Sequence, residues 1–478
     1  MLVVARPTLH PSAHPGPRPQ SAVSPTDDGT PRIVVDATVT HQTITGWEAT
    51  AQAGQNKSPV FETYRDRLID LAVNDLGINR LRVEVRSGSE HTRDLWALRG
   101  SDADEDDPNS VWRALRYSTI NDNNDPFVLN ARGFWFSEID STIEKVALPM
   151  KRMLQARGED LFINVNYVAF TRGLAPGLEY HHQDPEEYAE YVQAFYQHLR
   201  TRFGFLPDSW EIVLEPNNTR EWNPSLVRRA MIAAGNRLKS MGIVPRFVAP
   251  SASDMNIAVL YIDDMTRDGP PRFWAELSYH RYGGSSEAAL RGLGARAQQF
   301  NMATAMLERG GAGVNELHDD LKIAGNTAWS QYGLAYPAPV DNGGAYYLID
   351  DSNQAAPRII EGVLTKFLRQ YFKYVRNGAV RIDAETSDGT FDPVAFVNAN
   401  GSWVVVVKAA RGGVFAIDGL APGQYNATYT TSRDSLVPTG PVSIEPGARV
   451  RLGIPDQGVL TIFGAVGAGR GGPIDRRR

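Results

Sequence analysis

Eight short runs of β-branched and apolar residues, separated by longer amphipathic stretches, constrain this 478-residue chain more than any other feature. The runs are Thr43–Trp47, Asn79–Val85, Leu161–Tyr167, Glu211–Glu215, Phe247–Ala249, Glu276–His280, Thr304–Glu308 and Thr327–Gln331. Between them lie helical stretches such as Phe61–Asn74 and Pro185–Phe203. In the second of these, Tyr188, Tyr191, Val192, Phe195 and Leu199 recur at three-to-four spacing and so share one face. Strand and helix in alternation is the pattern of βα units around a parallel sheet. Eight of them predict an α/β fold, a (β/α)8 TIM barrel, over residues 31–375.

Two regions stand outside the repeat. Arg86 to about Glu138 is a long insertion after the second run, rich in Asp and Asn. Loops that follow barrel strands lie on the functional face, so this one is expected to shape a wall of any site there. After a helix expected from Ala356 to Tyr374, the pattern changes to short alternating strands: 379–382, 393–398, 403–408, 413–417, 424–431, 441–444, 449–452 and 459–463. With Gly and Pro turns between them they predict a β-sandwich over 376–465. The run Ile33-Val34-Val35-Asp36 is a candidate extra strand for it. Residues 1–30, with prolines at 7, 11, 15, 17, 19 and 25, read as a disordered segment, and 466–478 as a flexible basic tail.

Composition narrows the chemistry. The chain has no cysteine, which excludes disulfides, thiolate metal sites and cysteine nucleophiles. A net charge of −6 gives no broad positive field to hold nucleic acid or anionic lipid. The longest uncharged apolar stretch near the end, Gly458–Gly469, has 12 residues. A membrane-spanning helix needs about 20, so no insertion is expected. No HExxH, Walker A or GxGxxG-helix motif appears, and no cofactor is implied.

Two of the eight runs end in glutamate, Glu215 and Glu308. They stand three βα units apart, which puts both above one barrel mouth from strands across it. A carboxyl pair at such a mouth is the equipment of glycoside hydrolysis: one group protonates the leaving oxygen while the other attacks or activates water. Glu215 as acid would need its pKa raised, and Glu308 would need to stay ionised, with Arg82 a candidate to hold it so.

The residues resemble glycoside hydrolase family 30, a family of clan A retaining glycosidases, from about Arg32 to Phe463. Gln42-Thr43-Ile44-Thr45-Gly46-Trp47 is similar to that family's opening strand, and Leu76-Gly77-Ile78-Asn79-Arg80-Leu81-Arg82-Val83 to its second. Leu277-Ser278-Tyr279-His280-Arg281-Tyr282 is similar to the sixth, and Phe372–Ile382 to the passage into the sandwich. The resemblance implies a retaining β-glycoside hydrolase with Glu215 as acid/base and Glu308 as nucleophile, their carboxyl groups about 5–5.5 Å apart. It implies Arg82, His280 and Tyr282 as sugar-site residues, an oligo- or polysaccharide partner, and secreted or periplasmic export. That export is expected although residues 1–30 show no signal-peptide apolar region. A monomer is expected.

One departure from the family is Leu214, where the family has an Asn that binds the sugar 2-hydroxyl; Asn166 and Asn217 are the candidates to substitute. Glu48 is another, expected as an added polar contact or third acid. Sugar faces pack on aromatic rings. The strand-end candidates are Trp47, Tyr167, Trp222, Tyr282 and Trp329, with Trp47 and Tyr282 foremost. The acidic runs 102–107 and 121–125 are read as solvated loops, since counting from Asp102 puts Asp107 and Arg113 where a calcium EF-hand loop requires Gly and Glu. His181-His182 is expected at the surface, and no metal is expected. The alternative function is a non-catalytic carbohydrate-binding barrel that keeps the groove but has lost turnover. A lyase or aldolase would need a strand-end lysine or a metal cluster, and neither is visible.

Overall fold

The computed structural model describes Ser24, Thr26 and residues 28–99, 109–338 and 340–466. The expectations for residues 1–23, for the acidic run 102–107 and for the tail beyond 466 lie outside those residues. Strand β1 is Arg32–Thr43. The barrel strands follow as β2 (Gly46–Thr50), β3 (Arg80–Arg86), β4 (Phe162–Val168), β5 (Ser209–Glu211), β6 (Phe247–Asp254), β7 (Trp274–Gly283), β8 (Ala303–Glu308) and β9 (Ala328–Pro337). All eight run parallel in that order, and β9 pairs with both β8 and β2, closing the (β/α)8 barrel. Beyond Gly333, β9 leaves the barrel wall and pairs with β10 (Ala345–Asp350), which in turn carries β11 (Arg358–Glu361).

The helix expected over 356–374 is therefore shorter. Its first part is β11, and the helix covers only Thr365–Phe372. Ladder hydrogen bonds to β10 decide the matter locally, because an edge with unpaired backbone groups is a template for another strand.

Side chains in the barrel wall alternate between the interior and the helix layer. On β3, Arg80 and Arg82 point inward to buried carboxylates, while Leu81, Val83 and Val85 join the large core under the helices. Val248, Ala305, Leu307 and Ala328 form a small separate cluster.

The remaining strands are β12 (Val380–Thr386), β13 (Phe391–Val397), β14 (Ser402–Ala409), β15 (Gly413–Asp418), β16 (Gly423–Thr431), β17 (Val437–Ile444), β18 (Val450–Ile454) and β19 (Gly458–Val466). They join β1 in a nine-stranded, mostly antiparallel sheet of order β17-β16-β19-β14-β13-β12-β1-β15-β18. β1 pairs antiparallel with β12 and parallel with β15. The period of two is legible in β14: Val405 and Val407 enter the sandwich's own core, whereas Val404 and Val406 pack into the barrel's.

Candidate active site

Glu215 and Glu308 reach the same mouth by two local irregularities. Strand β5 stops at Glu211, and the chain runs on through Ile212–Leu214 to Glu215, whose φ of 45° lies in the left-handed region. A residue with a Cβ adopts that conformation only under constraint. Here the Glu215 N–H donates to the Ser251 carbonyl, and the next turn, Pro216–Asn218, folds back so that the Asn218 N–H donates to the Glu215 carbonyl. On the opposite side, β7 and β8 pair Tyr279 with Met306 and then His280 with Glu308, skipping Leu307. That bulge sets Glu308 beside His280.

One oxygen of each glutamate and a ring nitrogen of His280 lie within 4.8 Å of one another. His280 Nδ1 is 2.9 Å from Glu215 Oε1, and the Asn218 side-chain amide donates to Oε2 at 2.7 Å. Glu308 accepts from Arg82 at 2.7 Å and from the Tyr282 hydroxyl at 3.1 Å. Arg82 is fully buried and also holds both oxygens of Glu211, at 2.9 and 2.6 Å. Below it Arg80 joins Glu48 and Glu276. Two guanidinium groups thus serve four buried carboxylates. The His280–Glu215–Glu308 trio is a poor cation site, because Arg82 already presents positive charge to Glu308.

The two glutamates are shifted in opposite directions. Burial pushes Glu308 above the usual carboxylate range, and neighbouring Glu215 adds to this, while His280 and Arg82 only partly offset it. Burial also pushes Glu215 upward, but His280 and the Asn218 amide outweigh it and leave Glu215 below that range. This reverses the directions that the roles require. The reason is that Arg82 divides its charge between Glu211 and Glu308, whereas Glu215 is hydrogen-bonded directly to both His280 and Asn218. Burial and the adjacent Glu308 raise the Tyr282 phenol, which keeps its proton and donates.

A cavity of about 430 Å³ opens from Glu308. Leu214, Glu84, Tyr332 and Tyr336 line it from the barrel side, and Arg116 and Tyr117 line it from the insertion after β3. None of the last five stood out in the sequence, because their positions on long loops and strand ends carry no motif. Asn218 was missed too, although it stands three residues past Glu215 in a tight turn.

The expected residues divide sharply. Arg82, His280 and Tyr282 meet the glutamates, and Tyr282 keeps 45% of its surface exposed. Asn166 is fully buried with both amide atoms unpaired. Asn217 is tied to Ser253 through both its oxygen and its amide, so it is not free to substitute for the missing Asn. Trp47 points out of the barrel: it stacks on Phe372 at 4.5 Å, and its Nε1–H donates to the Val375 carbonyl. Trp329 also faces the helix layer and donates to Asp320. Tyr167 and Trp222 are sealed in an aromatic cluster with Tyr180, Tyr188 and His182. None of these four is open to a sugar: barrel alternation turns Trp47, Tyr167 and Trp329 to the outer core, and Trp222 is buried in the connection ahead of the helix Pro224–Ser240. Glu48 points inward but lies deep, fully buried against Arg80, and is neither a mouth contact nor a third acid. His182, expected at the surface, is buried between Tyr167 and Glu90.

Residues 378–409 match the family described as glycosyl hydrolase family 30 beta sandwich domain. No curated protein sequence matches the chain. Among solved structures, the chain is similar to a GH30 endoxylanase from Clostridium papyrosolvens C71, with TM-score 0.61, 16% identity, and coverage of 91% of this chain and 99% of that one. A conserved exported protein from Bacteroides fragilis gives TM-score 0.64 at 13% identity, with 90% and 99% covered. An endo-beta1,6-glucanase gives 0.59 at 14%, with 90% and 93% covered. The closed barrel, the strand exchanged into its sandwich and the match over 378–409 together make the chain similar in fold to the glycoside hydrolase family 30 structures.

Proposed function

We propose that the protein is a retaining β-glycoside hydrolase acting on β-linked oligo- or polysaccharide. The observation that carries this is the approach of Glu215 and Glu308 oxygens within 4.8 Å at one barrel mouth. Retention places the two carboxyl groups about 5–5.5 Å apart, whereas inversion needs roughly 6.5–9.5 Å to admit a water between them. Glu308, oriented by Arg82 and Tyr282, attacks the anomeric carbon. Glu215 protonates the departing oxygen, and then takes a proton from the water that releases the sugar from Glu308.

His280 Nδ1 lies 2.9 Å from Glu215 Oε1, within hydrogen-bond reach of the group that must deliver a proton. A sugar filling the cavity expels water and desolvates Glu215, which moves it upward, toward the range of an acid. The similar structures include one named an endoxylanase and one named an endo-beta1,6-glucanase, which supports a polysaccharide substrate without choosing between them. Export belongs to the same proposal, and likeness to an exported protein supports it.

The test is a panel of aryl 2-deoxy-2-fluoroglycosides with peptide mapping. One member of the panel is expected to label Glu308 covalently, and Glu308→Gln to abolish both labelling and turnover of the parent glycoside. Binding of sugar with no label and no turnover across the panel would identify a binding protein instead. A Glu308→Gln variant with near-native turnover would overturn the nucleophile assignment.

A further inference from the structure

The loop at 121–125, which reads as solvated in sequence, packs instead against the long helix Pro185–Phe203. The Asn121 side-chain amide donates to Glu187 at 3.2 Å, and the Asp122 N–H donates to Glu90 at 3.0 Å. Asp122 Oδ2 is occupied by the Asn123 amide and the Asn130 N–H. Its Oδ1 is buried with no partner, and so is Asn121 Oδ1.

Glu190, one turn along the same helix from Glu187 and 1% exposed, likewise has a buried Oε1 without a partner. The neighbouring cations are committed: Arg237 to Pro126, Gln193 and Glu186, and His182 to Glu90 and Tyr167. Four carboxylates, Glu90, Asp122, Glu187 and Glu190, thus crowd one seam. Burial and the other three push Glu190 up to about 8.

Three buried, unpaired oxygens beside surplus negative charge are costly unless something positive completes them. We propose that a hard divalent cation of the calcium class binds here, with Asn121 Oδ1, Asp122 Oδ1 and Glu190 Oε1 among its ligands. The donors are all oxygen, which suits calcium over softer metals, and calcium takes about 6–8 such ligands, the balance coming from water or backbone. Bound there, the ion joins the insertion to the barrel helix and steadies the cavity wall that carries Arg116 and Tyr117. The site lies apart from Glu215 and Glu308, so it does not depend on the proposed activity.

The experiment is calorimetric titration of chelator-treated full-length protein with calcium chloride, with magnesium chloride as comparison, alongside thermal melts. The expected result is one calcium per chain and a rise in Tm of roughly 2–5 °C at saturation. Glu190→Gln and Asp122→Asn are each expected to weaken binding roughly tenfold or more and to remove the Tm rise. Asp122→Asn keeps the test open if Glu190→Gln fails to fold. Absence of calcium binding by the parent protein would overturn the site, leaving a proton on Glu190 as what neutralises the seam. Undiminished binding in a folded variant would overturn it equally, by moving the ion elsewhere.

Discussion

Glu308 is held by two donors with different obligations. Arg82 is shared with Glu211, but the Tyr282 hydroxyl donates to Glu308 alone, accepts only a long bond from the Gly310 N–H at 3.4 Å, and stands half in solvent. Removing that hydroxyl should therefore touch the reaction and little else. Tyr282→Phe is expected to lower kcat/KM by about 10- to 100-fold, the equivalent of about 1.5–3 kcal/mol for a hydrogen bond to a charged group. Its Tm should stay close to that of the parent. The lost donor also leaves Glu308 harder to ionise, so the acidic limb of the kcat/KM profile should move to higher pH. A Tyr282→Phe enzyme with an unchanged profile would show that the phenol does not act through Glu308. At this scale the sequence was informative where chemistry demands a particular group at a strand end, as with Arg82, His280 and the two glutamates. It was silent on Asn218, whose role depends on a turn closing over Glu215.

Among the elements, β2 shows why strand positions are legible while their facing is not. Trp47 and Glu48 are both fully buried, one against Phe372 in the outer core and one against Arg80 in the barrel interior. In a parallel barrel both faces of a strand are covered, so hydrophobicity no longer marks which side is which. An aromatic at a strand end thus looks the same whether it serves sugar or packing. Trp47→Ala is expected to cost about 3–5 kcal/mol of stability in urea unfolding, as large-to-small core changes do. The folded fraction should turn over at the parent rate. A large rise in KM with stability intact would restore Trp47 to the site. β11 is a related case: four residues, Arg358–Glu361, are too few for their Ile pair to distinguish strand from helix, and pairing with the edge that β10 offers makes them a strand.

For the molecule as a whole, the joint between barrel and sandwich carries its own charge. His318, on the helix after β8, is fully buried, and its Nε2 lies 3.2 Å from Asp392 of β13. Lys322 reaches the same carboxylate at 2.6 Å. Burial holds the His318 pKa below its ordinary 6.5, so the unfolded chain binds the extra proton and stability falls as pH drops through 6.5. Asp392 is pushed up by burial but held well below the carboxylate range by His318 and Lys322. Its contribution is therefore present above its ordinary 3.8 and is lost as pH falls below that value. Asp392→Asn is expected to destabilise the protein by about 1–3 kcal/mol at pH 7. The gap to the parent should widen as pH falls below 6.5, because loss of the anion pushes His318 further down, and shrink only below 3.8 as Asp392 of the parent takes up its proton, as followed by denaturant unfolding at each pH. A gap that closes already between pH 7 and 5 would contradict this pairing.

Strand β1 adds a constraint of a different kind. It lies between β12 and β15, so the first strand among the described residues is the bridge that binds two later parts of the sandwich, and it hands over to β2 after only two residues. The smaller lobe is thus stitched from segments that precede and follow the barrel, with the barrel looped out between them. Cutting at the apparent border near 376 would leave one fragment with a torn seam and the other with a dangling ribbon. Neither lobe can be lifted out and grafted elsewhere as a unit.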